Sequence, residues 1–403
     1  DVGAPGGLHP VQQALVDCAG SQCGFCTPGF VMSMWSVTER SLRTGVCAPR
    51  EDLIDALSGN LCRCTGYRPI VDALIASAHH VVEGGSPTVA WESLAEQLKA
   101  LDQGNAEHML DIPGFTAPTT EEGLASALAA RPDARIIAGG TDQVVAMRAN
   151  GGLLDGAAAF VSVAAVDSLR RLSLDDDYLV LGAAVPLEEA WAALVGRSPG
   201  LERMHRRFAG PAIRSRGTVG GNVANSSPVA DLVPVLIALD AEIELRSAQG
   251  SRVLPLLGFA TGVRENSLVR GEYLARIRVP LASFARDLRA YKVSRRFDDD
   301  ISSVSGVFGW IEDGDRLVDV RLVFGGMATT VRRATRTEAI LEGGQWTSAA
   351  VAAAQEALRD DFAPIDDHRA SSWYRMQVAR GLIERRWHET GKVTQEHDLW
   401  VIT

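Results

Sequence analysis

The sequence predicts an α+β protein that opens with a small four-helix bundle and continues into mixed strand-and-helix domains. Three observations carry this. Four short helical stretches, each with start and stop signals, fill residues 1–80; two tight cysteine pairs sit in loops between successive stretches; and beyond residue 106 glycine-rich loops follow short apolar strands. The expected boundaries are a bundle over 1–80, a polar connector over 81–105, a second domain over 106–285 and a third over 286–403.

The helices are read in order. "HPVQQALVDCAG" has Pro10 at a first helical position, Val11, Ala14 and Leu15 on one face, and Gly20 as a stop. "TPGFVMSMWSVTERSLRTG" has Thr27 as cap, Phe30, Met34 and Val37 as a face, and Gly45 beyond the end. "REDLIDALSGN" places acids early, then Leu53, Ile54 and Leu57, and "YRPIVDALIASA" puts Pro69 ahead of Ile70, Val71 and Leu74.

Composition narrows the class. With 46% hydrophobic and 22% charged residues, the 403-residue chain suits two or three domains with cores. A formal charge of -10 argues against nucleic acid as a partner, since phosphate binding wants a basic face. No apolar run approaches the roughly 20 residues that span a bilayer, so no membrane role is expected and the compartment is read as cytoplasmic. "DVGAPGG" at the start looks like a linker in progress, which predicts a segment upstream.

The cysteine pairs, Cys23 with Cys26 and Cys62 with Cys64, fall in interhelical loops that a bundle brings to one end. Four converging thiolates point to a metal centre. Zinc accepts four thiolates and C-x-x-C is common in its sites. The second pair is C-x-C, and Gly24, Gly59 and Gly66 leave backbone amides free to donate to sulfides, so ligation rules favour an iron-sulfur centre and leave zinc open. Cys18 and Cys47 stand alone and read as structural thiols, and His79 and His80 as surface residues.

No G-x-G-x-x-G is present, so a Rossmann site has no support. In "RIIAGGTDQVVAMR" a short strand leads through Gly139, Gly140, Thr141 and Asp142 into helical spacing, offering bare amides suited to a phosphate. "RSRGTVGGNVANSSPVADLVPV" joins Gly217, Gly220 and Gly221 to Asn222, Asn225, Ser226 and Ser227 before a helix from about Asp231, and "VDVRLVFGGMATT" ends a strand at Gly325 and Gly326. Each alone reads more readily as a tight turn than as a ligand site. Three donor-rich loops together favour a ligand.

"GSQCGFCTPGF" followed by "GNLCRCTGYRPI" resembles the helical [2Fe-2S] domain of the molybdenum hydroxylases, the xanthine dehydrogenase and aldehyde oxidase family. The later segments resemble that family's flavin domain, a vanillyl-alcohol-oxidase type of FAD fold, and its α+β flavoprotein C-terminal domain. By this resemblance Cys23, Cys26, Cys62 and Cys64 hold a [2Fe-2S] cluster. Ile136, Ile137, Ala138, Gly139, Gly140, Thr141, Asp142 and Gln143 lie along the FAD pyrophosphate; Thr218, Val219, Gly220, Gly221 and Asn222 form a second flavin loop; Phe208, Asp231, Leu274 and Lys292 fall at further FAD contacts. "YKVSRRFDDDISSVSG" and "FGGMA" resemble the xanthine dehydrogenase branch, with Asp298 to Asp300 near the flavin's face.

The resemblance implies an electron-transfer small subunit that takes electrons from a molybdopterin-binding large subunit oxidising hypoxanthine or xanthine and passes them through [2Fe-2S] and FAD to NAD+. No catalytic residue for purine chemistry is expected in this chain, and a heterotetramer of two small and two large subunits is implied. The family's plant-type ferredoxin domain, with C-x4-C-x2-C, has no counterpart, so truncation or a further chain is expected to account for it. A sibling reading is the flavin and iron-sulfur part of an aldehyde or carbon monoxide dehydrogenase. A reading from another class is a zinc-stapled interaction scaffold.

Overall fold

The structure, a computed structural model, describes residues 7–82, 90–102, 110–149, 159–297 and 299–390. The chain forms two compact units, residues 1–107 with 210–212, and 108–209 with 213–403.

The first unit contains the expected bundle: α1 (Pro10–Asp17), α2 (Thr27–Thr44), α3 (Arg50–Asp55) and α4 (Arg68–Val82). α1 starts with His9 accepting from the Val11 amide at 3.2 Å while the Gln12 side chain accepts from the His9 amide at 2.9 Å, so Pro10 takes a first-turn position that needs no donor. Thr27 is not the cap of α2. Cys26 holds that place, and the Thr27 hydroxyl lies 2.7 Å from Ser21 Oγ instead. Gly45, at φ 68°, ends the helix in the left-handed region. The predicted faces interlock: Val11, Leu15, Phe30, Met34, Leu53, Ile70 and Leu74 are buried together, whereas Ile54 points outward. Cys18 and Cys47 pack, half-buried, against this core. His79 is exposed, and the His80 side chain lies outside the described residues.

The stretch read as a connector contains a fifth helix, α5 (Trp91–Asp102). Trp91 anchors it to α2, its indole donating to Glu39 at 3.3 Å, its ring 6.2 Å from that of Trp35 and 5.5 Å below the Arg43 guanidinium. One aromatic anchor outweighs an otherwise polar composition.

The second unit opens with β1 (Leu110–Ile112), β2 (Phe115–Ala117), α6 (Glu121–Ala130), β3 (Arg135–Ile137), α7 (Thr141–Ala149) and β4 (Phe160–Ser162). Their sheet runs β1-β2-β4-β3, with β4 parallel to both neighbours. Next come β5 (Leu172–Leu174), β6 (Tyr178–Gly182), α8 (Leu187–Val195), α9 (Val219–Ala224), α10 (Leu232–Ala238), β7 (Glu242–Ser247), β8 (Gly250–Pro255) and β9 (Tyr273–Pro280). This second sheet, β5-β6-β9-β7-β8, is antiparallel throughout. All of α10 is buried because it is apolar on every face, "LVPVLIA". Alternation along β9 puts Tyr273, Ala275, Ile277 and Val279 inside.

The last part is a four-stranded antiparallel sheet, β10 (Arg289–Val293), β11 (Val304–Asp313), β12 (Arg316–Gly325) and β13 (Arg332–Arg333), joined by α11 (Thr335–Leu341), α12 (Ser348–Asp361) and α13 (Ser372–Glu389). Aromatic pairs fill its core: Phe308 with Phe324 at 5.2 Å and Trp310 with Trp346 at 5.0 Å.

Arg375 clamps α13 to this sheet. Its buried guanidinium donates to the carbonyls of Ser303 and Gly326, the latter at 2.8 Å, and to Asp367 at 2.7 Å. Arg375→Met strands both carbonyls and the carboxylate, and is expected to lower stability by about 2–4 kcal/mol in urea unfolding. Burial pushes the Asp367 carboxyl up, but the amides of Ala370 and Arg369 and the Arg375 guanidinium outweigh it and hold the group at about 2, below its ordinary 3.8. A depressed folded value means that the contribution is present above the ordinary value and lost as the pH falls toward the folded one. The stability difference between the parent and Asp367→Asn is therefore expected to be constant at neutral pH and to shrink below about pH 4.

Candidate functional site

Two places in the chain collect functional side chains, one in each unit. In the first, the loops before α2 and before α4 meet through their cysteines. Cys62 is buried, with Sγ 3.3 Å from Thr65 Oγ1 and accepting the Cys64 amide at 3.4 Å. The Cys62 amide donates to the Tyr67 hydroxyl at 3.1 Å, and Tyr67 adopts a φ of 69°. Hydrogen bonds from the Thr65 hydroxyl, the Thr65 amide and the Cys64 amide lower the Cys62 thiol to about 7. The Phe25 amide and then the Cys64 thiol lower Cys23; the same contact raises Cys64, and burial raises Cys26.

The thiols thus influence one another across the two loops, Cys23 with Cys64 and Cys26 with Cys62 by hydrogen bonding, and Cys62 by its charge on the other three. Among the described residues, no group of three or more Cys, His, Asp or Glu closes on a point that would hold one metal ion. The convergence expected from the sequence is therefore pairwise. A two-iron cluster needs two thiolates per iron rather than four around one centre, so this soft, pairwise donor set fits it. Gly24 and Gly66, at φ 82° and 68°, have open space where a Cβ would stand, which leaves the loop backbone bare.

In the second unit, a cavity of about 680 Å³ opens between the β3–α7 loop and the start of α9. Ile136, Ala138 and every residue from Gly139 to Gln143 line one side. Thr218, Gly220, Gly221, Asn222, Phe208 and Leu274 line the rest. The two loops lie backbone to backbone: a Cβ on Gly139 would stand 1.8 Å from the Arg216 carbonyl oxygen. Thr218 caps α9 by accepting from the Gly221 amide at 3.2 Å, and the Gly220 amide donates to Ala183 at 2.9 Å. Asn225 reaches Asp142 at 3.4 Å, tying the loops together.

This lining fits a phosphate-bearing flavin cofactor on three counts. A Cβ on Gly221 would meet nothing but Thr218 Oγ1, so space stands open over the α9 backbone. Gly140 is at φ 75°, which turns the backbone sharply ahead of α7. The buried Asn222 Oδ1 has no partner in the protein.

The remaining residues singled out from the sequence lie elsewhere. Ile137 pairs with Ser162 inside the first sheet, and Val219 is fully buried core. Asp231 and Lys292 are not in the lining; they form a buried ion pair at 2.7 Å, with Ser302 donating to the other Asp231 oxygen. The third glycine loop serves packing, since Gly326, at φ 80°, would place a Cβ 2.3 Å from the Ser303 carbonyl. Asp298 lies outside the described residues; the amides of Arg296 and Ile301 hold the neighbouring Asp300 carboxyl below its ordinary value. Arg207 fixes the segment before it, donating to Lys292 O, Ser294 Oγ at 2.9 Å and Phe297 O at 3.0 Å, with its guanidinium 4.6 Å from the Phe297 ring.

Sequence reasoning missed Ala183, Leu187, Ile213, Leu268, Tyr273 and Ile301, which complete the cavity wall. Of these only Ile301 lies in a quoted segment, next to Asp300, and only the alternation of β9 marks Tyr273 as inward. Burial raises the Tyr273 phenol well above its ordinary value, and its hydroxyl lies 3.4 Å from Glu121.

Comparison with known proteins matches these units to three family models: a [2Fe-2S] binding domain over residues 1–75, the FAD binding domain in molybdopterin dehydrogenase over 109–282, and the CO dehydrogenase flavoprotein C-terminal domain over 289–390. A xanthine dehydrogenase of Emericella nidulans is 30% identical over 439 residues, covering 94% of this chain and 32% of its own length. The chain spans about a third of the length of such curated relatives. Among solved structures, a chain of quinoline 2-oxidoreductase from Pseudomonas putida 86 superposes with a TM-score of 0.63 at 25% identity, covering 70% of this chain and 97% of that one. A chain of carbon monoxide dehydrogenase from Hydrogenophaga pseudoflava gives 0.61 at 25%, covering 67% and 94%. The chain belongs to the molybdenum hydroxylase family, as an iron-sulfur and FAD-binding chain.

Proposed function

We propose that this chain is the electron-transfer part of a xanthine dehydrogenase, receiving electrons from a molybdopterin-bearing partner that oxidises hypoxanthine or xanthine and delivering them to NAD+. The observation that carries the reading is the presence in one chain of a cross-loop thiol set and a glycine-lined flavin cavity. When bound, a [2Fe-2S] cluster carries single electrons and a flavin exchanges them for a hydride's pair. Similarity to xanthine dehydrogenases supports the purine assignment.

In this reading Cys23, Cys26, Cys62 and Cys64 hold the cluster. Ile136, Ala138 to Gln143, Thr218 and Gly220 to Asn222, with Phe208 and Leu274, hold FAD, and Ile137 and Val219 support their loops from the sheet and the core. The start of α7 offers backbone donors to the FAD phosphates, the first amides of α9 being taken by Val185, Ala183 and Thr218, and Asp231 pairs with Lys292 outside the lining. Residues 1–80, 106–285 and 286–403 act as the cluster, FAD and C-terminal domains around the 81–105 connector. The partner is a large subunit in a two-plus-two assembly, and the compartment is cytoplasmic; no helix among the described residues is long and apolar enough to cross a membrane.

Anaerobic flavin absorbance tests this division of labour. NADH is expected to bleach the flavin of the FAD-loaded chain, and xanthine to do so only after the large subunit is added. Bleaching by xanthine alone would overturn the proposal. Failure of NADH would favour the second reading, a chain serving another acceptor, which the likeness to the quinoline and carbon monoxide enzymes supports.

A further inference from the structure

A second cavity, of about 660 Å³, lies on the far wall of the turn that follows α9: Val223 and Ser226 face it, whereas Ala224 and Asn225 face the flavin cavity. Its floor is apolar, made by Val233, Ile237, Leu256 and Phe259. Above the floor stand the hydroxyl-bearing Thr261, Thr329 and Thr330, and then charge.

The charges do not cancel. Arg333 is held by Glu338 at 2.8 Å. The Asp361 carboxylate is engaged by the amides of Arg336 and Thr337, both at 2.9 Å, and by the Thr337 hydroxyl at 2.7 Å. Arg332 and Arg336 line the cavity with no side-chain partner among the described residues, and Asp360 is the one acid in the lining left open to them. Two guanidiniums against one carboxylate, over an apolar floor and beside four threonines, Thr335 being the fourth, present cationic forks for an oxyanion, a slot for a flat apolar body and an acceptor for an amine on that body.

The geometry points to a second ligand site, separate from the flavin cavity, for a nucleoside phosphate: phosphate on Arg332 and Arg336, sugar hydroxyls toward the threonines, base on the floor with its amino group toward Asp360. Nothing in the electron path calls for this site. Its shared wall with the flavin cavity lets occupancy be felt at α9.

The test uses the full chain saturated with FAD, so that the flavin cavity cannot take the probe, and AMP titrated calorimetrically against adenosine and inorganic phosphate. AMP is expected to bind at one equivalent, with adenosine and phosphate each at least about tenfold weaker, because each keeps half of the contacts. In Arg332→Glu/Arg336→Glu, both positions being exposed, AMP affinity is expected to fall at least about tenfold with FAD content and melting temperature unchanged. Thr329→Trp, also at an exposed position, is expected to block the site sterically. Absence of AMP binding at millimolar concentration, equal affinity for adenosine, or parent-like binding in either variant would each overturn the assignment.

Discussion

Replacing Cys62 with serine is expected to abolish the iron-sulfur centre of the purified chain. Cys62 is the most buried of the four thiols and the one whose hydrogen bonds, from the Thr65 hydroxyl and amide and the Cys64 amide, bring its thiolate within reach of neutral pH. A serine oxygen is harder and far less acidic, so it cannot take over that ligand position at neutral pH. Its loss also leaves Cys26 without the thiol it faces across the loops. Iron should fall from about two per chain to near zero, and the paramagnetic signal seen after reduction should vanish. Cys62 packs in the same core as Phe30, Met34, Leu53 and Leu74, but serine is close to it in size and leaves those apolar contacts standing, so helical circular dichroism should persist. Cys47→Ser, in a half-buried thiol packed against that core, should keep the signal. A Cys62→Ser protein with an intact signal, or parent protein purified anaerobically with one zinc and no iron, would sink the cluster and favour the zinc-stapled scaffold.

What the sequence made legible follows from the range of each interaction. Helices α1 to α4 were readable because their apolar faces and stops are local: Pro10 and Gly45 stand where the chain needs them, and the predicted faces, Ile54 apart, pack inward, although the cap of α2 is Cys26 and not Thr27. The cysteine pairs were readable for the same reason, though their association as Cys23–Cys64 and Cys26–Cys62 depends on how two loops meet, which no local spacing encodes. Helix α5 was hidden because Trp91 contacts Trp35, Glu39 and Arg43, more than 45 residues earlier. The cavity proposed for FAD was half legible: its glycine loops announce themselves, but the apolar wall from Leu187, Ile213, Tyr273 and Ile301 is assembled from helix, strand and loop positions that no local pattern joins. Asp231 and Lys292 illustrate the converse. The family resemblance marks each as a cofactor contact, and only the fold shows that they face each other as a buried pair outside the cavity lining.

The glycines of the two loops divide into those that the protein needs and those that a cofactor needs, and the difference yields the second large effect. At Gly139 a Cβ would lie 1.8 Å from the Arg216 carbonyl oxygen and 2.9 Å from the Gly217 Cα, both backbone atoms that cannot swing aside. Gly139→Val must therefore pry the β3–α7 loop off the loop before α9, which dismantles the cavity whether or not anything occupies it. At Gly221 a Cβ meets the Thr218 hydroxyl at 3.0 Å and otherwise open space over the cavity. Gly221→Val is expected to leave the fold intact and intrude into the volume assigned to FAD. The strain of displacing either a bound cofactor or the α9 start is on the order of 1–3 kcal/mol, or roughly 5- to 150-fold in affinity. FAD retained through gel filtration should be lost from both variants, but only Gly139→Val should lower the melting temperature of the FAD-free chain. The [2Fe-2S] signal, arising from the other unit, should survive in both. Full flavin occupancy in Gly221→Val would show that the open space over α9 is not where the cofactor lies, and would remove the Thr218 to Asn222 loop from the site.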